Sequence, residues 1–403
     1  MNANMIYVTT AVLAAIMLVP HGTSIFAQVQ PPSQLSQQQG QITINGAGAT
    51  FPFPLIDTWR VEYQNVNPNV NINYQSIGSG GGIRQFTERT VDFGASDAPL
   101  SESDTQALPG PAVHIPETIG SVVAAYNING VPEKGLKLTG PVLADIFRGT
   151  ITTWNDPRIQ ELNPDLTLPS EDIVVAHRSD GSGTTFVWTN YLSAVSPEWS
   201  ETVGSGTSVE WPAGLGAPGN EGVANTIIST PNSIGYVELA YALTTDTDYA
   251  YIQNTEGNFV EPSLDSTRAA VEAAVLSGSG GTNATTSNNS TGTTNATDTQ
   301  NMTSINLPAG NESWRDVSLL NAPGANSYPI ASFSYLLLYQ DLSTNIDSME
   351  RARALVDFIQ WAITDGQQFA SELSYVPLPD PVVQHNMQTL ESLTFQGQPV
   401  LQQ

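Results

Sequence analysis

The stretch Ile173-Val174-Val175-Ala176-His177-Arg178-Ser179-Asp180-Gly181-Ser182-Gly183-Thr184-Thr185-Phe186-Val187-Trp188 decides how this chain is read. Its first four residues form an apolar run that predicts a buried strand. Phe186 to Leu192 predicts a helix. Between them lies a turn rich in Gly, Ser and Thr, placed where a strand hands over to a helix N-terminus. Free backbone N–H groups and the positive end of the helix dipole meet at such a point, and a small anion can bind there. Arg178 adds a planar, bidentate donor suited to a tetrahedral oxyanion. Ser182 and Thr184 add hydroxyls that can turn to fit. A capped helix with no ligand has the same composition, so this stretch alone leaves both readings open.

The pattern recurs twice. Gln41-Ile42-Thr43-Ile44 alternates like a strand and runs into Asn45-Gly46-Ala47-Gly48-Ala49-Thr50-Phe51, with Pro52 at a favoured first helical position. Val70 to Tyr74 predicts a strand, Ser76 to Gly82 a Gly/Ser turn, and Ile83-Arg84-Gln85-Phe86 the opening of a helix. Three helix N-termini converging on one anion account for the repetition more simply than three unrelated caps.

These segments, with Val91-Asp92-Phe93-Gly94-Ala95-Ser96-Asp97-Ala98-Pro99-Leu100, stand in an order that resembles the phosphate-binding (PstS-type) proteins of high-affinity phosphate ABC importers. Leu162-Asn163-Pro164, Trp211-Pro212, Gly214-Leu215-Gly216, Gly235-Tyr236-Val237-Glu238, Phe358, Trp361-Ala362 and Tyr375-Val376-Pro377-Leu378-Pro379 fit the same family. The resemblance spans roughly residues 41–390, apart from one insertion. It implies an α/β, two-domain periplasmic-binding-protein-like fold (type II), with the ligand cleft between the domains. Residues 41–125 and 328–403 are expected in domain I and 126–327 in domain II, with the chain crossing near Tyr126 and Tyr328. Strand-helix alternation agrees: Val122 to Tyr126 predicts a strand, and Val142 to Phe147 and Ala352 to Ala362 predict helices. Sites at strand ends beside helix N-termini are the rule in open α/β sheets.

By resemblance, phosphate is bound by Thr50, Phe51, Ser79, Asp97, Arg178, Ser182, Gly183 and Thr184. Asp97 is the unusual member, a carboxylate facing an anion. Near neutral pH phosphate still carries a proton and sulfate carries none, so an ionised Asp97 accepts that proton and opposes sulfate. Asp180 is expected to hold Arg178 as an ion-pair partner behind the ligand. His177 and Ser179 differ from the commonest family residues, which touches fine tuning only.

Composition points the same way. The chain has 403 residues, enough for two domains, with 12% charged residues and a formal net charge of −26. That charge argues against nucleic acid, which needs a basic face. It is odd for an anion-binding protein, but exposed charges are screened within about 8 Å at physiological salt. There is no Cys, which excludes disulfides, thiolate catalysis and bacterial-type lipid attachment. His21, His114, His177 and His385 are scattered singly, and no H-E-x-x-H, Walker A or G-x-S-x-G pattern occurs. Asp246 and Asp248 read as a turn, since the other calcium-loop positions are missing. No metal, cofactor or catalytic residue is therefore expected, and a binding protein delivering phosphate to ABC permease subunits is the leading reading. A phosphomonoesterase-like enzyme and a binding protein for another tetrahedral oxyanion are the alternatives.

Ile6 to Val19 is apolar and suits a signal-peptide core or a short anchor, with Ala27 as a cleavage position and 28–40 as a Gln/Pro/Ser-rich linker. No Lys or Arg precedes Arg60, unlike a standard signal. Ser277 to Ser304 is a Ser/Thr/Gly/Asn tract that cannot bury a core. It carries N-x-S/T acceptor sequences at Asn283, Asn288, Asn289, Asn295 and Asn301, with Asn311 nearby, which implies glycosylation outside the cytoplasm. The expected product is an extracytoplasmic monomer.

Overall fold

A computed structural model describes residues 41–131, 134–276 and 307–401. The predicted signal segment, the linker and the acceptor sequences from Asn283 to Asn301 lie outside the described residues. Asn311 is described and is exposed on a turn.

The strands are β1 Ile42–Gly48, β2 Val70–Ser76, β3 Phe93–Ser96, β4 Ala112–Asn127, β5 Lys134–Leu138, β6 Val174–Arg178, β7 Leu215–Ala217, β8 Ser233–Glu238, β9 Asp248–Gln253, β10 Phe259–Val260 and β11 Ala331–Tyr339. Two short strands, Thr394–Phe395 and Gln398–Pro399, pair with each other near the end. The helices are α1 Phe53–Val66, α2 Ser79–Thr87, α3 Glu102–Ala107, α4 Gly140–Phe147, α5 Pro157–Leu162, α6 Gly183–Val195, α7 Pro197–Thr202, α8 Gly219–Ser229, α9 Leu239–Thr244, α10 Leu264–Leu276, α11 Met349–Ile363 and α12 Asp380–Glu391.

The main sheet runs β2-β1-β3-β11-β4-β8-β6-β7, with β9 pairing β4, β5 and β10. β1 is parallel to β2 and β3, and β6 is parallel to β7 and β8. These parallel runs need helical crossovers, which α1, α2 and α8 supply. β11 and β4 are antiparallel to their neighbours. β4 passes through the whole sheet. Ala112 to Ser121 pairs with β11, and Val122 to Asn127 pairs with β8. All but its two end residues are buried, as expected of a strand covered on both faces.

The core follows from the apolar stripes. On α1, Leu55, Ile56, Trp59 and Tyr63 are buried, matching the helical spacing of the sequence. Under α6, Trp188 stacks on Tyr236 with ring centroids 5.3 Å apart, and Phe147 and Trp211 close around them. His177 stacks on Trp211 at 4.8 Å, so this histidine belongs to the aromatic wall. Asp246 sits in a left-handed turn (φ 50°), and Asp248 opens β9.

Helices α1, α4 and α11 start at Phe53, Gly140 and Met349 where the sequence suggested Pro52, Val142 and Ala352, and the two glycine-rich starts differ more tellingly. α2 begins at Ser79, not Ile83, and α6 begins at Gly183, not Phe186. The glycine-rich turns are partly the first helical turns themselves. Glycine is needed there because another backbone passes close by. A Cβ on Gly80 would lie 2.9 Å from the Gly181 Cα, and one on Gly82 would collide with the Gly48 Cα.

Candidate functional site

Each strand-turn-helix ends in a first turn whose amides have no partner within the helix. β1 leads through Thr50 and Phe51 into α1. The carbonyls of Ala49, Thr50 and Phe51 accept hydrogen bonds from the hydroxyls of Tyr74 (2.7 Å), Tyr241 (2.5 Å) and Tyr375 (2.7 Å). Because the peptide unit is planar, pinning a carbonyl fixes the direction of the next N–H. Phe51 is fully buried, and among the described residues its amide finds no acceptor. β2 leads through Gly78, in a left-handed conformation (φ 82°), into Ser79 at the start of α2. β6 ends at Arg178 and the turn leads to Ser182, whose hydroxyl caps α6 by accepting from the Thr185 amide at 3.0 Å.

These turns meet. The Gly80 amide donates to the Gly181 carbonyl at 2.9 Å, and the Gly183 amide donates to Ser79 Oγ at 3.0 Å. Asp97, just after β3, joins them through its own amide, which donates to Ser79 Oγ at 3.3 Å. Thr50, Ser79, Asp97, Arg178, Ser182 and Thr184 are all buried. The structure thus brings together the sequence-predicted residues from four separate segments.

A fourth helix start joins them that the sequence reading did not single out. Asn220, in the first turn of α8, donates through Nδ2 to Thr50 Oγ1 (2.8 Å) and Thr184 Oγ1 (3.1 Å). Its side-chain oxygen accepts from the Glu238 amide at 3.0 Å. The signal was present: Pro218-Gly219-Asn220 follows β7 as another strand-turn-helix of the same type.

Counting hydrogens shows what the arrangement can do. The Oγ atoms of Thr50, Ser79, Ser182 and Thr184 each accept from N–H groups. Each hydroxyl carries one hydrogen of its own, and among the described residues none of these four is directed to a protein acceptor. Four O–H donors, with the amides of Phe51, Ser79 and Thr184, which have no acceptor among the described residues, are therefore available to one acceptor-rich ligand. Arg178 supplies the charge. Its Nε and Nη2 are held by the Asp180 carboxylate at 2.7 and 2.5 Å, and Nη1 lies 3.4 Å from Thr184 Oγ1. Asp180 also accepts from the Gly219 amide at 3.1 Å, tying the guanidinium to α8. The Arg178 amide donates to the Tyr236 hydroxyl at 3.1 Å, which fixes the base of the side chain on the aromatic wall.

Asp97 is the exception in this set of donors. Its Oδ1 accepts from the Ser334 hydroxyl at 2.8 Å, while its Oδ2 is buried without a partner. Burial pushes its carboxyl up to about 7, against the lowering effects of Ser334 and Arg178. On its outer side Asp97 borders a cavity of about 300 Å³ between α6 and β11. The site therefore combines many donors, one full positive charge and one unpartnered acceptor. An anion that still carries a proton satisfies all three.

A sheet with helix N-termini at its strand ends, gathered on an anion cradle, defines a solute-binding protein of the periplasmic type. A family model described as a PBP superfamily domain matches residues 32–365. The chain belongs to the PstS family of phosphate-binding proteins. It is 43% identical over 359 residues to the phosphate-binding protein PstS of Xylella fastidiosa, covering 88% of this chain and 85% of that one. It is 37% identical over 361 residues to PstS of Methanocaldococcus jannaschii, covering 86% and 85%. The fold is also similar to that of a high-affinity periplasmic phosphate-binding protein (PfluDING) bound with phosphate. That likeness has a TM-score of 0.60 at 20% identity, over 89% of this chain and all of that one.

Proposed function

We propose that this chain captures inorganic phosphate outside the cytoplasm and delivers it to the permease subunits of an ABC importer. The observation that carries this reading is Asp97 Oδ2, a buried acceptor without a partner, set among hydroxyl and amide donors. Thr50, Phe51, Ser79, Arg178, Ser182 and Thr184 donate to the phosphate oxygens, Gly183 lines the phosphate site and holds Ser79 Oγ in place through its amide, and Asp97 accepts the remaining phosphate proton. Asp180 keeps the Arg178 guanidinium flat and aimed. Residues 41–125 with 328–403 form one lobe and 126–327 the other, and the lobes close over the ion by bending where β4 passes between them. The contacts Gly80–Gly181 and Ser79–Gly183 are those of the closed form. In it water is excluded and the donors reach full strength.

Binding without turnover is the reading for the hydroxyls as well. A nucleophilic Ser or Thr needs a base within reach. Here the four hydroxyls meet amides, Asn220 and Arg178, none of them is bonded to the neighbouring Asp97 carboxyl, and His177 is engaged with Trp211 and the Arg178 carbonyl. Among the described residues no helix is long and apolar enough to cross a membrane, and the apolar stretch 6–19 is the proposed export signal or anchor.

Calorimetric titration of the full chain with phosphate, sulfate, arsenate and molybdate tests the proposal. Tight one-to-one binding of phosphate with at least about a hundredfold preference over sulfate is expected, a difference of about 3 kcal/mol. Preference for sulfate or molybdate would overturn it. Release of phosphate from a monoester, with or without added divalent metal, would show an enzyme instead.

A further inference from the structure

Ser334 sits between two carboxyls. Its Oγ lies 2.8 Å from Asp97 Oδ1 and 3.0 Å from Glu117 Oε1. Both distances are hydrogen-bond distances, yet Ser334 has one hydrogen to give. The second contact needs a proton on one of the two carboxyls. Asp97 lies under the influence of Arg178, which favours its ionised form. Glu117 is fully buried and has no ion pair among the described residues. The proton therefore belongs to Glu117, which donates to Ser334, and Ser334 donates in turn to Asp97.

The backbone places Glu117 there by a specific device. In the β4–β11 ladder Thr118 pairs with Ser334 and Pro116 with Tyr335, so Glu117 is the extra residue of a β-bulge. A bulge re-aims one side chain out of the regular alternation. Without it, a carboxyl in the middle of a strand buried on both faces would have no reason to reach the site.

Resting on the phosphate-binding reading above, we infer that Glu117 is a positioning residue for selectivity: held as a neutral acid by the bulge, it keeps Asp97 ionised and aimed at the ligand through Ser334. The chain of bonds is Glu117 Oε–H to Ser334 Oγ, Ser334 Oγ–H to Asp97 Oδ1, and ligand P–OH to Asp97 Oδ2. When Glu117 loses its proton, Ser334 can satisfy only one of two facing carboxylates, and the pair repels.

Burial, with a smaller push from the Asp97 charge and against the lowering effect of Ser334, holds Glu117 at about 8. The other titratable groups around the pair are Tyr74 on β2, Tyr335 on β11, Glu238 at the end of β8 and Tyr375. The three tyrosines are pushed up by burial. Glu238 is raised strongly by burial and is bonded to the Ala240 amide and the Tyr375 hydroxyl. Arg178 is the cation that acts on Asp97.

The test is calorimetric titration of wild type and Glu117→Gln with inorganic phosphate between about pH 7.5 and 9.5, where phosphate keeps one proton throughout. Wild-type affinity should fall by about tenfold or more across this range, because the bound form holds the Glu117 proton more tightly than the open form. Glu117→Gln, whose amide donates to Ser334 at every pH, should keep its affinity within about twofold. It should also retain rejection of sulfate. Infrared spectra give a second measurement: the band of protonated buried carboxyl at pH 7 should lose intensity in Glu117→Gln. Equal pH profiles in the two proteins, or a wild-type spectrum without protonated carboxyl, would overturn the role of Glu117. Absence of phosphate binding at every pH would instead overturn the reading on which it rests.

Discussion

Replacing Asp97 by Asn exchanges an acceptor for a donor at one atom of the site. Asp97 is 2% exposed, its backbone amide is bonded to Ser79 Oγ, and Ser334 donates to Oδ1 at 2.8 Å. In the variant the Ser334 hydroxyl still needs an acceptor, so the Asn oxygen stays at that position. The NH2 group then stands where the unpartnered Oδ2 stood. For sulfate the change removes a negative charge and an unpaired acceptor, and adds a donor. Relieving one such buried contact is worth about 1.4–3 kcal/mol, so sulfate binding should rise by about ten- to a hundredfold. Phosphate can turn an unprotonated oxygen toward the amide and place its hydroxyl against a Ser or Thr oxygen. Its affinity should therefore drop by no more than about tenfold. Competition of sulfate against labelled phosphate at neutral pH measures both effects. If the variant rejects sulfate as strongly as wild type, the shape of the cradle sets the selectivity and the argument from Oδ2 is refuted.

Three other outcomes are expected. Arg178→Ala removes the charged donor from a buried site and should weaken phosphate binding by at least about 3 kcal/mol in the same titration; near-wild-type affinity would place Arg178 outside the site. Gly183→Ala puts a Cβ 2.5 Å from Asp97 Oδ2 and Ser79 Oγ and 2.6 Å from Asp97 Cβ, so phosphate affinity should fall by about a hundredfold or more in the same titration; unchanged affinity would count against the close approach of these segments around the ion. Asp97 and Glu117 are pushed up from 3.8 and 4.5 to about 7 and about 8, so their contribution to stability is complete below the unfolded values and is lost as pH rises through the folded ones. Lowering the pH of the phosphate-free protein from about 8.5 to 6.5 should therefore add about 2 kcal/mol, a few degrees in melting temperature. His114, pushed down to about 4 by burial, opposes this only below its ordinary value of 6.5, so a flat or reversed profile above that pH would count against the carboxyl assignment.

Much of the site was legible in the sequence because its parts are local. A strand, a Gly/Ser turn and a helix fit within a dozen residues, and each of the three quoted stretches forms that unit. The helix starts at Ser79 and Gly183 were missed because glycine ordinarily signals a turn, whereas here it allows two backbones to approach. The tyrosine bonds were hidden for a different reason. Tyr241 and Tyr375 reach Thr50 and Phe51 across 191 and 324 residues, and no local pattern reports such a distance. Glu117 did leave a mark, as an acid in the long buried run of β4, but its purpose depends on a bulge that only the pairing with β11 reveals. The aromatic wall shows the same limit. Trp188, Trp211 and Tyr236 look like ordinary core residues until Tyr236 is seen holding the Arg178 amide.

The cradle draws many of its donors from the main chain: amides that open α1, α2 and α6, those of α1 set in direction by the carbonyls that three tyrosines pin. No point mutation can delete a peptide N–H except by introducing proline, and no codon change converts it into an acceptor. In the proposed reading, recognition of a tetrahedral anion is therefore inherited with the topology itself. The 37% identity to PstS of Methanocaldococcus jannaschii fits such an inheritance. What evolution or an engineer can adjust in the proposed site is narrow: the hydroxyls, Arg178, and above all the single carboxylate at Asp97, proposed to tell one anion from the next.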